Sequence, residues 1–209
     1  MGRRSDHSRP ELEELILAEG HRLMAEIGYA RFSVREVAKR IGYSVGTIYN
    51  LFGSHHRLIL AINSRTFLQW AAEMRASLDA GPADRIAVLV DSYFSFAEAH
   101  PNLWMAIYDH RLPAGEALPE RYAEQRAALT GIVQAEISRL LPPERGQDAP
   151  ALARSLVATV HGHCVFALTG TFELLGEQQP KEAALARVWD TLRAAQSLAG
   201  AGEADKARG

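Results

Sequence analysis

The run from Phe32 to Phe52, FSVREVAKRIGYSVGTIYNLF, leaves few folds open to this chain. It reads as two short helices joined by a tight turn. Ser33 stands where it can cap the first helix, and Glu36, three residues on, can reach back to the Ser33 N–H. Phe32 and Val37 hold the two staple positions that flank such a cap. Val34, Val37, Ala38 and Ile41 recur at helical spacing and form one apolar stripe, while Arg35, Lys39 and Arg40 stay on the wet side. Gly42 ends the helix, because a residue without a side chain takes positive φ at little cost. Ser44 then offers an N-cap for a second helix from about Val45 to Asn50.

The second helix is too short and too polar to form for its own packing energy. Ile48 and Leu51 can anchor it on the first helix, which leaves Ser44, Thr47, Tyr49 and Asn50 pointing outward. Neutral donors and acceptors of different reach suit phosphate oxygens and base edges. Gly46 in the first turn lets backbone approach a phosphate, where helix N–H groups favour an anion. Two helices with a glycine-containing turn form the helix-turn-helix arrangement, whose second helix enters the major groove. The competing reading is a helical hairpin inside another all-α protein.

Gly28-Tyr29, the run Phe32 to Ala38, Ile41-Gly42, the run Ser44 to Tyr49, Phe52 and Leu58 agree in order and spacing with one known pattern. Over roughly residues 10 to 60 the chain resembles the tetracycline-repressor-like (TetR) family of bacterial transcription regulators. The resemblance implies an all-α fold with an N-terminal three-helix DNA-binding head and a C-terminal helical domain for ligand binding and dimerisation. Ser33, Arg35, Ser44, Val45, Gly46, Thr47, Tyr49, Asn50 and His55 are the residues expected at the DNA. One departure stands out: the family usually has Lys at the position of His55, where it meets a phosphate. A histidine near its ordinary pKa of about 6.5 is mostly neutral at pH 7. The contact is therefore expected to be weaker, or carried by Arg57, and DNA affinity to rise as pH falls from 8 to 6.

Composition fits this reading. The net charge is −2 over 209 residues, so the whole chain is not a general nucleic-acid binder. Residues 1–62 hold nine Lys/Arg against seven Asp/Glu, and the remainder fourteen against eighteen. A slightly basic end on an acidic body suits site-directed DNA binding. Arg3 and Arg4 form either a solvated tail or a reach toward a neighbouring phosphate. The single Cys164 excludes an internal disulfide framework and reads as a small packed core residue rather than a redox sensor. No apolar run is expected to approach the length of a membrane span, and the N-terminus lacks the apolar segment of a secretory signal. The expected location is the cytoplasm, with no membrane partner.

The rest of the chain reads as successive helices: about Arg9–Ile27, Ser54–Ala80, Pro82–His100, Pro101 to near His110, Glu120–Leu140, Pro150–Leu175 and Pro180–Leu198. Residues 1–56 are assigned to the DNA-binding head, 57–199 to the effector and dimer domain, and 200–209 to a disordered tail. Ala158, Gly162 and Gly170 place small residues on roughly one face of an otherwise apolar helix, which marks a homodimer interface. The family resemblance implies a four-helix bundle there. Val160-His161-Gly162 is weakly similar to the aromatic-His-Gly signature of one family subgroup, with Val in the aromatic position. His161 and His163 point to different sides of their helix and make a poor metal pair.

Trp70, Met74, Tyr93, Phe94, Trp104, Tyr108, His110 and Phe166 are the candidate walls of a pocket for a small-molecule effector. Each is also an ordinary core residue of a helical domain. No metal site, cofactor or catalytic constellation is expected, since no HExxH, P-loop or GxSxG motif is present. The resulting expectation is a ligand-responsive repressor that binds a pseudo-palindromic operator in double-stranded DNA as a dimer. A ligand-independent activator or architectural DNA binder is the alternative, and an all-α enzyme the remote one.

Overall fold

Apolar residues at helical spacing recur along the whole chain, and the computed structural model, which describes residues 7–115 and 117–206, contains helices and no strand among them. The order is α1 (Arg9–Ile27), α2 (Val34–Ile41), α3 (Val45–Phe52), α4 (His55–Asp79), α5 (Arg85–Ala99), α6 (Pro101–Asp109), α7 (Glu120–Leu140), α8 (Ala149–Leu168), α9 (Thr171–Leu175) and α10 (Pro180–Lys206). Short 3-10 turns at Tyr29–Arg31 and Pro143–Asp148 precede α2 and α8. Arg3 and Arg4 lie outside the described residues.

The chain forms two compact units. The first gathers everything up to Gln69 together with His100–Arg126, and the second gathers Trp70–Ala99 with the chain from Ala127 on. The first unit is thus larger than a head of residues 1–56. The reason is α6: Leu103 and Ala106 sit in the same core as Leu12, Ile16 and Leu23 of α1, Val37 of α2, Ile48 of α3 and Leu58 of α4. Asn102 Nδ2 also donates to the Ala25 carbonyl at 2.7 Å, which fastens α6 to α1.

Within the second unit, α8 packs on α10 and α5. Glu136 of α7 is buried and accepts from Arg85 Nε at 2.7 Å and Nη2 at 2.8 Å, while Arg85 Nη1 donates to the Leu78 carbonyl. One guanidinium therefore ties the end of α4 to α5 and α7.

Outside α2 and α3, three helix boundaries differ from the sequence expectation by more than a residue. Helix α5 starts at Arg85 rather than Pro82, because Asp84 Oδ1 accepts the Ala87 N–H and sets the cap there. The segment expected as one helix from Pro150 to Leu175 is two: α8 ends at Leu168, and Gly170 takes a left-handed conformation (φ 71°, ψ 7°) before α9. Helix α10 continues to Lys206, since Ala and Glu favour helix past Leu198, so the expected disordered tail falls partly on helix and partly on residues 207–209, outside the described residues.

The expectation about apolar runs also needs correction. The stretch Pro143–Leu168 is long and apolar enough to cross a membrane, by length and composition alone. Its buried stripe, Ala149, Ala153, Leu156, Val160 and Cys164, is the core side of α8. Only 22% of the residues in the apolar window are fully buried within the chain, and Ala158, Phe166 and Leu168 of the same stretch are exposed.

Candidate nucleic-acid interface and effector cavities

The helix-turn-helix forms as its residues dictate. Val34, Val37 and Ala38 bury one face of α2, and Ile41 packs beside them. Gly42 closes α2 in the left-handed region (φ 75°), and the Tyr43 N–H reaches back to the Ala38 carbonyl at 3.0 Å. Ser44 caps α3: its Oγ accepts the Thr47 N–H at 3.0 Å and lies 2.9 Å from Thr47 Oγ1. Helix α3 runs two residues further than expected, because Phe52, along with Ile48, is buried and anchors its far end; Leu51 is only partly buried.

The capping box expected at Ser33 is absent. Ser33 makes no side-chain cap bond, and Glu36 instead accepts from Arg40 Nε at 3.1 Å and lies 3.7 Å from Lys39 Nζ. Arg40 also reaches Glu19 at 3.1 Å and Glu26 at 2.8 Å, so it serves as a strut between α2 and α1. These three carboxylates push its pKa up, Glu26 most.

Ser44, Gly46, Tyr49 and Asn50 are exposed along one side of α3, Thr47 is half-buried, and Arg35 on α2 is exposed. Val45 is half-buried against the core of the unit, which leaves it little to offer DNA beyond its backbone. Ser54 starts α4 by accepting the Arg57 N–H at 3.2 Å. His55 is half-buried, with its ring 6.3 Å from that of Phe32 and edge-on to His56 at 5.8 Å. Burial, and then the neighbouring His56, push the His55 pKa down. That shift lowers the pH at which His55 gains its charge, so any gain in DNA affinity from it comes at lower pH than an unperturbed histidine would give.

The residues expected to line one pocket are dispersed. Trp70 is buried, stacked on Phe96 at 4.7 Å and edge-on to Tyr93 at 4.9 Å, and Phe94 is likewise buried. Met74 and Tyr93 face a small apolar cavity of about 40 Å³ in the second unit, shared with Val133, Leu156 and Val160. The Tyr93 hydroxyl meets His161 Nδ1 at 2.9 Å. His163 Nδ1 meets the Thr159 carbonyl at 2.8 Å, so both histidines of α8 are engaged in hydrogen bonds. Trp104 is buried in the first unit, edge-on to Tyr108. Phe166 is 43% exposed on α8, on the side away from the α8 core stripe.

Tyr108 and His110 line a different cavity, of about 230 Å³, within the first unit. Asn63, Ser64, Tyr122 and Arg126 complete its polar wall, and Leu60, Phe67, Ile107, Leu112 and Leu118 its apolar one. Sequence reasoning missed Asn63, Ser64 and Arg126. The available signal was the polar run Asn63-Ser64-Arg65-Thr66 between apolar residues of α4.

Among the expected dimer residues, Ala158 is exposed and Gly162 is half-buried, with no atom of the chain within 4 Å of where its Cβ would stand. Gly170 lies beyond the end of α8 and does not continue their face. Cys164 is fully buried, and burial with a contribution from Glu98 pushes its thiol up to about 12. A protonated, water-excluded thiol is unreactive, in keeping with a packing role.

Two family models match the chain: "Bacterial regulatory proteins, tetR family" over residues 16–62 and "Tetracyclin repressor-like, C-terminal domain" over residues 86–202. No curated protein matches. Solved structures similar to the chain include a protein of unknown function from Rhodococcus sp. RHA1, 22% identical, with 93% of this chain and 98% of that one covered and a TM-score of 0.67. A TetR transcription regulator from Haloarcula marismortui is 19% identical, with 88% and 98% covered and a TM-score of 0.60. A tetR-family transcriptional regulator from Streptomyces coelicolor is 18% identical, with 95% and 84% covered and a TM-score of 0.61. At these identities the structures establish the shared fold.

Proposed function

The chain belongs to the TetR family of bacterial regulatory proteins and is a DNA-binding transcriptional regulator, and from that premise we propose that it is a ligand-responsive repressor acting as a homodimer on a pseudo-palindromic operator. The observation that carries the reading is α3 itself. It is pinned by Ile48 and Phe52, capped by Ser44, and presents Tyr49, Asn50 and the Gly46 backbone to solvent. Such a helix fits the major groove, with phosphates near its N-terminus and base edges along its outer side.

One α3 reads too few base pairs for a unique address, so two copies bind half-sites about 34–36 Å apart. The exposed apolar residues Ala158, Phe166 and Leu168 of α8 support pairing through the last long helices. Helix α4 begins directly after α3, inside the first unit, and continues past Gln69 into the second, so a tilt of α4 on effector binding would change the spacing of two paired heads. Effector and operator then weaken each other reciprocally, by about 1–3 kcal/mol. In this reading its target is DNA in the cytoplasm.

A gel shift of the purified protein on its own upstream intergenic DNA, with salt varied and scrambled competitor present, tests the reading. Saturable, competitor-resistant binding that weakens with salt is expected. Absence of specific binding there and in a genome-wide selection of bound fragments, with the protein folded, would overturn it.

A further inference from the structure

The cavity of the first unit is built unlike a packing defect. Asn63, 5% exposed, donates through Nδ2 to the Ala106 carbonyl at 3.0 Å, which fixes the orientation of its amide. Its Oδ1, shut away from water, has no hydrogen-bond partner. An orphan buried acceptor costs free energy that a donor arriving from outside would recover. Ser64, also 5% exposed, lies beside it. Arg126, exposed on α7, also lines the space; among the described residues it forms no ion pair or hydrogen bond, and no Asp or Glu lines the cavity. Leu60 and Phe67, on the same face of α4 as Asn63 and Ser64, and Ile107 of α6 give the lining its apolar part. A cavity of about 230 Å³ takes a single substituted ring, since one of about 150 Å³ takes benzene.

His110 gives this cavity a connection to the DNA-facing side of the same unit. It is buried, and its Nε2 lies 3.2 Å from His56 Nδ1. His56 in turn sits edge-on to His55, the position expected at a DNA phosphate. Burial, with His56 and His55 adding, pushes the His110 pKa down to about 4, so it enters the pair neutral near pH 7. A neutral imidazole donates through one nitrogen and accepts through the other. A ligand that bonds one side of His110 therefore selects its tautomer and decides whether His56 donates or accepts.

We propose that this cavity binds a small organic anion carrying a hydrogen-bond donor remote from its charge, and that occupancy reaches the DNA surface through His110, His56 and His55. Arg126 holds the anion, Asn63 Oδ1 accepts from the donor, and the apolar wall covers the ring. The binding half stands by itself; the regulatory half rests on the operator-binding reading.

Calorimetry without DNA tests the first half, using 4-hydroxybenzoate, benzoate and 4-hydroxybenzamide as probes. The hydroxylated acid is expected to bind about tenfold more tightly than either companion. Arg126→Gln should remove the preference over the amide. Asn63→Leu should remove the preference over benzoate while leaving the melting temperature unchanged, because the Ala106 carbonyl still accepts from the His110 N–H. Binding weaker than about 10 mM for all three probes, or preferences that survive both substitutions, would overturn the site. For the second half, His56→Phe keeps a ring in place and removes the hydrogen bond. It should bind the acid normally while operator affinity ceases to respond to it. A response equal to that of the parent protein sinks the relay. Acid binding by a protein that binds no operator sinks the relay and the repressor reading together, and leaves the ligand site standing.

Discussion

Tyr49 and Thr47 sit on the same helix but carry different loads. Tyr49 is 36% exposed on the outer side of α3 and its side chain makes no hydrogen bond among the described residues, so Tyr49→Ala should weaken operator binding by about 1–3 kcal/mol with little change in thermal unfolding. Thr47 shares the cap with Ser44, so Thr47→Ala should lose DNA affinity and some helix stability together, separable by gel shift and urea unfolding. Histidine sets the pH behaviour. His21 and His110 both have pKa values lowered to about 4, mainly by burial, against about 6.5 in the unfolded chain. The unfolded state then binds more protons between those values, so stability is full above pH 6.5 and is lost as pH falls toward 4. Melting temperature followed from pH 8 to 4 should hold flat and then drop below pH 6.5, and His110→Gln should shallow the drop. Much of this scale was legible in the chain. The Ser44 cap depends on residues three apart and could be read directly. The Ser33 box could not, because Glu36 is drawn to Arg40, whose other partners, Glu19 and Glu26, lie on another helix. The shielding of His55 and His110 likewise comes from residues distant in sequence.

Among the elements, all of the recognition pair but the Ser33 box and the last two residues of α3 was announced, since its stripe, its turn glycine and its second cap are all local. The break between α8 and α9 was not. A long run of apolar helix formers surrounds Gly170, and a glycine inside such a run reads equally as a small face residue or as a stop. The structure makes it a stop, with φ 71° and the Gly170 N–H bonded to the Ala167 carbonyl at 3.2 Å. The two readings predict opposite signs for one substitution. In a continuous helix Gly170→Ala would stabilise by about 0.5–1 kcal/mol. In the left-handed position it should destabilise by about 1–2 kcal/mol. Urea unfolding of the variant decides, and a gain in stability would restore the single helix. Helix α6 was the other element whose role the chain concealed. Its own pattern announces a helix, but its place in the core of the recognition unit depends on Asn102 and Leu103 meeting α1, a long-range fact. The polar cavity inherits that opacity, because α4, α6 and α7 each contribute only part of its wall.

At the scale of the whole molecule, one chain leaves too much apolar surface wet. Phe166 and Leu168 on α8 are 43% and 41% exposed, and Leu174 and Leu175 on α9 are 88% and 67% exposed. Exposed apolar area of this kind, clustered on consecutive helices, is what a partner copy covers. The place of Gly162 sharpens the argument. Within the chain a Cβ there would meet nothing within 4 Å, so its own fold does not require a glycine at that position. A second helix crossing closely at Ala158 and Gly162 would require it. Gly162→Arg should therefore leave helix content and unfolding cooperativity of the chain intact while halving the mass measured by light scattering. With two recognition helices sharing one operator, as proposed, the same variant should lose most operator affinity at concentrations where the parent saturates, and regain none when half-sites are moved apart. A variant that stayed dimeric would move the interface off this face of α8. A monomer that kept full operator affinity would break the tie between pairing and DNA reading that the short α3 demands.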